Sequence, residues 1–398
     1  MNQSEEVVRF LERIQGRALI GGGVAILLAI VGFFLNRAQF FQSYLFAYFF
    51  WLGVSLGCLA LLLVYHITGG HWGFVIRRIL EAAALVSLLM IVLIVPLFFG
   101  MSDLYSWVKP DVVAADPLLQ HKQPYLNLPF FVGRNVIYFV VWCGATLLLA
   151  RWSWQQDGSA ERAFDLAERM RHFSAPGLAL YGLAMTFAAI DWLMSLEPHW
   201  FSTIFGAMIA SAQVVTGLAV ATILLCLLIP RDPQFGEIAD RYIDDFGKLL
   251  LSLSLFWVYM TFIQYLIIWA GNLPEEVVWY LRRLRQGWQW VAVLVLLFHF
   301  VLPFAALLAG QVRKQRPWLT IVAASLVGAD LVYFYWVVTP VFHPAFHLHW
   351  LDIVIPCAIG GLWLAAFSWQ LRRRPLLPNH DPVWEGSEAQ VPVLETMR

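Results

Sequence analysis

Apolar residues fill ten long blocks of this chain, and polar residues punctuate them. The blocks run near 17–36, 43–66, 79–100, 130–150, 176–195, 201–229, 249–270, 287–310, 318–338 and 349–371. A helix needs roughly 20 apolar residues to cross a bilayer. The pattern therefore predicts an all-α integral membrane protein with ten transmembrane helices inside 17–371, a single polytopic domain spanning 1–398. Three stretches interrupt or follow the blocks. Residues 101–129 form a long, proline-punctuated loop, and loops of that length tend to be functional or to bind partners. Residues 157–173 predict an amphipathic surface segment with Ala163, Phe164, Leu166, Ala167 and Met170 on its apolar side. The tail, 375–398, is short, polar and expected to be poorly ordered.

The distribution of Lys and Arg orients these helices. With the N-terminus inside, the inner segments hold 19 of the 26 basic residues, and the outer ones keep Arg37, Lys109, Lys122, Arg134, Arg282, Arg283 and Arg285. Both termini are expected in the cytoplasm, 101–129 outside and 157–173 inside. The fifth and ninth helices each carry an acid, Asp191 and Asp330, and each ends in a Pro/His cluster. A shift of four helices preserves orientation. This suggests two four-helix bundles, helices 2–5 and 6–9, related as a parallel repeat, with two peripheral helices.

Composition agrees with the pattern. Hydrophobic residues make up 60% of the chain, charged residues 13%, and mean hydropathy is +0.69. A soluble domain carries roughly 25% charge. Net charge is zero, which gives no sign of a nucleic-acid partner. The first ten residues, MNQSEEVVRF, do not read as a signal peptide. Cys58, Cys143, Cys226 and Cys357 lie in four different apolar runs. Without a C-x-x-C pair they exclude thiolate metal sites and c-type haem attachment, and they read as buried apolar filler.

Ionisable residues at membrane depth are few, and such residues tend to be functional. Arg77 and Glu81 sit four apart at the start of the third helix and can pair. Asp191 lies in the outer half of the fifth helix, with Ser195 one turn on and placed to hydrogen-bond its carboxylate. A carboxylate alone at that depth favours its protonated form, which suits a proton relay. Glu197, Pro198 and His199 follow as an outer mouth. In the eighth helix, Pro303 removes the hydrogen bond to the carbonyl of His299. Asp352 and Pro356 repeat that arrangement in the tenth. Lys248, after Asp244 and Asp245, marks an inner mouth, and Gln213, Gln264 and Tyr265 could extend a polar chain. His343, His347 and His349 cluster in the last outer loop, without the helical carboxylate-and-histidine motif of a metal site. His66 and His299 differ too much in depth to be paired haem ligands. No catalytic, cofactor-binding or metal-ligating set is expected in this chain.

The turn DWLMSLEPHWFSTIFG at 191–206, the segment GGHWGFVIRRILEAA at 69–83 and the ten-helix plan resemble the ActF-type membrane subunit of bacterial alternative complex III. That complex is a quinol:cytochrome c (or cupredoxin) oxidoreductase, and its two large membrane subunits belong to the NrfD-like, polysulfide reductase membrane subunit superfamily. The resemblance covers about 15–375. It implies an inner-membrane subunit of a menaquinol- or ubiquinol-oxidising assembly. The implied partners are a sister NrfD-like quinol-binding subunit, an iron–sulfur subunit, cytochrome c subunits carrying haem c, small membrane subunits, lipids and a terminal oxidase. The chain itself would hold no cofactor and would provide a proton path. Carried onto these residues, the path runs from Arg77, Glu81 and Lys248 through His299, Asp330 and Asp191 to Glu197 and His199. Asp352 stands as a further candidate. Two other readings stay open: that the chain itself binds quinol, near Asp191 and Glu197, and that it is a stand-alone secondary transporter.

Overall fold

The computed structural model describes residues 4–382. Among them there is no strand, and ten helices are long and apolar enough to cross a membrane. These are α1 (Glu5–Leu35), α2 (Arg37–Thr68), α3 (His71–Phe99), α4 (Leu128–Asp157), α5 (Ala163–Leu196), α6 (Phe205–Arg231), α7 (Pro233–Gly271), α8 (Trp288–Leu308), α9 (Arg316–Val341) and α10 (Leu351–Leu371).

Polar caps carry several helices beyond their apolar runs. Ser4 Oγ accepts from the Val7 N–H at 3.3 Å, so α1 starts well before residue 17. Asn127 Oδ1 accepts from the Phe130 N–H at 2.9 Å and starts α4 two residues early. Such caps satisfy backbone donors that a helix end leaves free. The expected surface segment at 157–173 is corrected here. From Ala163 onward it is the first part of α5, which runs on through Pro176. Its buried residues are Ala163, Leu166 and Met170, while Phe164 is exposed. The 101–129 loop is folded into short helices, Met101–Leu104, Ser106–Val108, Pro110–Ala115 and Pro117–Lys122.

Two helices form the centre. α2 and α6 are almost wholly buried, and α2 packs against α3, α5, α6, α9 and α10. Glycines set the α2–α6 approach. A Cβ on Gly57 would lie 1.9 Å from the Gln213 carbonyl oxygen, and one on Gly217 2.8 Å from the Cys58 nitrogen. Without a hydrophobic drive between helices in lipid, such close backbone contact is a main source of association. α1 leans mainly on α10, with Gly22 against Gly361, and touches α2 near its end, while α7 and α8 show most of their surface outward. Arg372 reaches Glu12 at 3.4 Å, so the two described ends share one face, called here the terminal face. The opposite one is the loop face. Residues 375–382 are not loose: Leu376, Leu377 and Asp381 are buried. The rest of the expected tail, 383–398, lies outside the described residues.

Candidate functional site

The expected path residues fall into separate polar clusters. On the loop side, Asp191 is fully buried and paired. Arg134 Nε donates to its Oδ2 at 2.7 Å and Arg134 Nη2 to its Oδ1 at 2.8 Å, while the Tyr138 hydroxyl donates to Oδ2 at 2.6 Å. The guanidinium stacks over the Tyr125 ring at 3.8 Å and the Phe130 ring at 4.4 Å. This corrects two expectations. Arg134 belongs to the buried part of α4, because Asn127 starts that helix two turns earlier. Ser195 donates to the Asp191 backbone carbonyl at 2.5 Å, not to its carboxylate. A bidentate fork of this kind supplies the counter-charge a buried carboxylate needs.

Glu197 meets two more cations. Arg282 and Arg283 donate to its two oxygens at 2.8 and 2.7 Å. Trp200 stacks on Trp279 at 5.0 Å, so the whole 193–204 turn is docked on the helix Pro274–Arg283. Burial, offset in part by Glu197, lowers the pKa of Arg283 from its ordinary value. Arg283 also donates to the Val337 carbonyl at 2.6 Å, tying the turn to α9. His199 is mostly exposed and lies 2.7 Å from Asp116.

The third cluster lies near mid-span between α7, α8 and α9. His299 Nε2 stands 3.6 Å from Asp330 Oδ1, and both residues are buried. Among the described residues, neither His299 nitrogen has a hydrogen-bond partner, nor does Asp330 Oδ1. The Trp257 ring covers the imidazole at 4.0 Å and faces Tyr333 edge-on at 5.6 Å. Trp257 Nε1, the Tyr333 hydroxyl and Ser254 Oγ are likewise buried and unsatisfied. Buried polar atoms normally have partners, so each exception calls for a strain, water or functional account. Here they gather around one acid and one imidazole. The expected free carbonyl at Pro303 takes another form: Leu296–Val301, including His299, is a π-helix, and Pro303 lies in the first turn of the helix that follows. Single π turns are frequent at functional sites.

The remaining candidates stand apart from that centre. Glu81 Oε1 accepts from Arg77 at 2.9 Å and Glu81 Oε2 from Arg78 at 2.8 Å and Arg374 at 3.1 Å. Arg77 also binds Asp381 at 2.7 Å. Lys248 is exposed and pairs with Asp244 and Asp245 at 2.8 and 3.1 Å. Asp352 accepts from Gln39 at 3.0 Å, from Ser43 at 2.5 Å and from the His349 N–H at 2.9 Å. Its helix is continuous through Pro356. Gln264 accepts from Ser202 at 2.6 Å, whereas the Gln213 amide is buried without a partner. Cys357 is exposed, unlike the other three cysteines.

Sequence reasoning missed Arg134, Trp257 and the Arg282–Arg283 pair. For Arg134 a signal existed: it and Asp191 each lie about one turn from the outer end of a predicted span. For Trp257 there was none, since aromatic residues are common in apolar helices, whereas Tyr333 lies one turn from Asp330 in the sequence itself. No protein-family model matches the chain, and no curated protein shows significant similarity to it.

Proposed function

We propose that this chain is an integral subunit of a membrane quinol:electron-acceptor oxidoreductase, carrying no redox centre and providing a transmembrane proton path. The observation that carries the reading is the buried His299–Asp330 pair, 3.6 Å apart, with His299 on a π turn and both ring nitrogens and Asp330 Oδ1 without a partner among the described residues. A histidine beside an acid can exchange one proton between ring nitrogen and carboxylate oxygen with little change in net charge. A single water or a small side-chain rotation closes the gap between them. Glu197 and Arg283 mark the loop-side end, one turn of α9 beyond Tyr333. The Lys/Arg distribution supports placing both ends in the cytoplasm, and the helix contacts support two bundles, α2–α5 and α6–α9. Partner subunits with haem c and iron–sulfur clusters, and a menaquinol or ubiquinol substrate, rest on the resemblance alone.

Asp330→Asn in the assembled complex, reconstituted in vesicles, tests the relay. The proton-to-electron ratio should fall while quinol oxidation in uncoupled vesicles is retained. An unchanged ratio would sink the relay and leave a scaffold. A stand-alone transporter is the second reading, favoured by the π-interrupted α8, because such folds bind substrate at broken helices near mid-membrane. Copurification separates the two: a subunit brings red cytochromes with it, and a transporter purifies alone.

A further inference from the structure

Asp352 differs from every other acid discussed above. It is 7% exposed, and its three hydrogen bonds come from a Gln amide, a Ser hydroxyl and a backbone N–H, none of them charged. Asp191, Glu81 and Glu197 each have arginines, and Asp330 has an imidazole. A buried carboxylate without a counter-ion is costly.

Asp352 also sits at the head of a cavity of about 880 Å³ that is almost entirely apolar. One branch descends between α1 and α10, past Pro356 and Gly360 to Leu364. From Asp352 that is about 18 Å of helix. A second branch passes Tyr335 and Leu331, and a neighbouring cleft of about 460 Å³ that shares Leu294 and Val332 with it reaches Ser325 and Ile321. From Tyr335 that is about 21 Å along α9. Half of a hydrocarbon core is about 15 Å thick, so both branches reach the depth of a leaflet. The cavity opens outward, since Ile353, Leu348 and Leu294 on its walls are all exposed. Two apolar branches of one leaflet's depth fit two acyl chains. Among the described residues no Lys or Arg lines either cavity, and a net-anionic lipid calls for a basic pocket.

We infer that this forked groove binds a two-tailed zwitterionic phospholipid whose primary ammonium head neutralises Asp352. The ammonium donates to the free lone pair of Oδ2. The phosphate faces the rim, where His347 and His349 flank the lining residue Leu348. The inference is independent of the proton path.

The test is lipid retention by the purified protein, with its copurifying subunits, after equilibration with vesicles of equal phosphatidylethanolamine and phosphatidylglycerol. Native mass spectrometry reads which lipid stays bound. The wild type should favour phosphatidylethanolamine about tenfold, the size of a charge-assisted hydrogen bond. Asp352→Asn should bring the ratio near one, and Asp352→Glu should restore the preference. Leu294→Trp, which fills the α8–α9 branch, should reduce retention of the two-tailed lipid without changing the headgroup ratio for what remains. Equal retention of both lipids by the wild type would mean an annular lipid only and would overturn the site. So would an unchanged ratio in Asp352→Asn, or lost preference in a folded Asp352→Glu.

Discussion

Removing a carboxylate from water requires compensation, and the acids at membrane depth find it differently. Asp191 is held by Arg134 in a bidentate pair with both partners buried. Breaking such a pair leaves one charge stranded, whereas replacing both members by apolar groups is often neutral. Arg134→Met should therefore lower stability by about 3–5 kcal/mol. The double variant Arg134→Met/Asp191→Leu should recover most of that loss, read by denaturant titration in detergent micelles. A double variant as unstable as the single would show that the pair does more than satisfy charge. In the last loop, His343 and His347 stack at 4.3 Å. Burial, then His347, lowers the pKa of His343 below its ordinary 6.5. The folded loop then binds fewer protons than the unfolded one, so its stability rises with pH. Protection of amides in 339–350, corrected for intrinsic exchange, should be full above pH 6.5 and decline as the pH falls below that value. His343→Gln can keep the contact to Gln42 and should flatten the dependence.

At the scale of elements, the ten spans were legible because each carries its own apolar length. Their ends were less so, because a cap such as Ser4 or Asn127 acts outside the apolar run it starts. The segment at 157–173 was misread for a related reason. Its charged residues look like a separate surface helix, yet from Ala163 they open the same helix that runs on through Pro176 into the apolar run. The π turn in α8 was invisible in the sequence beyond Pro303. A π turn holds one extra residue, so deleting Leu297 should return the helix to α geometry and rotate His299 by about 100° away from Asp330. Proton flux should be lost while the melting temperature holds or rises. Retained flux would separate His299 from the path.

For the whole molecule, Glu81 is a hub on the terminal face. It joins Arg77 and Arg78 of α3 to Ser153 of α4 and to Arg374 beyond α10. Asp157 receives Arg78 and the Asn379 N–H in the same network. Burial, countered in part by Glu81, pulls Arg374 down to about 10. Glu81→Gln should release the segment after α10, seen as faster proteolysis within 372–382 with the helices intact; unchanged cleavage would show that the contacts of Asp157 and Asp381 hold it without Glu81. The sequence by itself determined the membrane class, the number of spans and the shortlist of ionisable residues, because each depends on local apolar length and on which side chains are costly in lipid. Only the tertiary structure decided which of those residues meet. Arg134 finds Asp191, and His299 finds Asp330 without closing a bond, while Asp352 is left at the head of an apolar groove. Such contacts depend on helix rotation and on crossings like Gly57 against Gln213, where side chains far apart in the chain are set face to face.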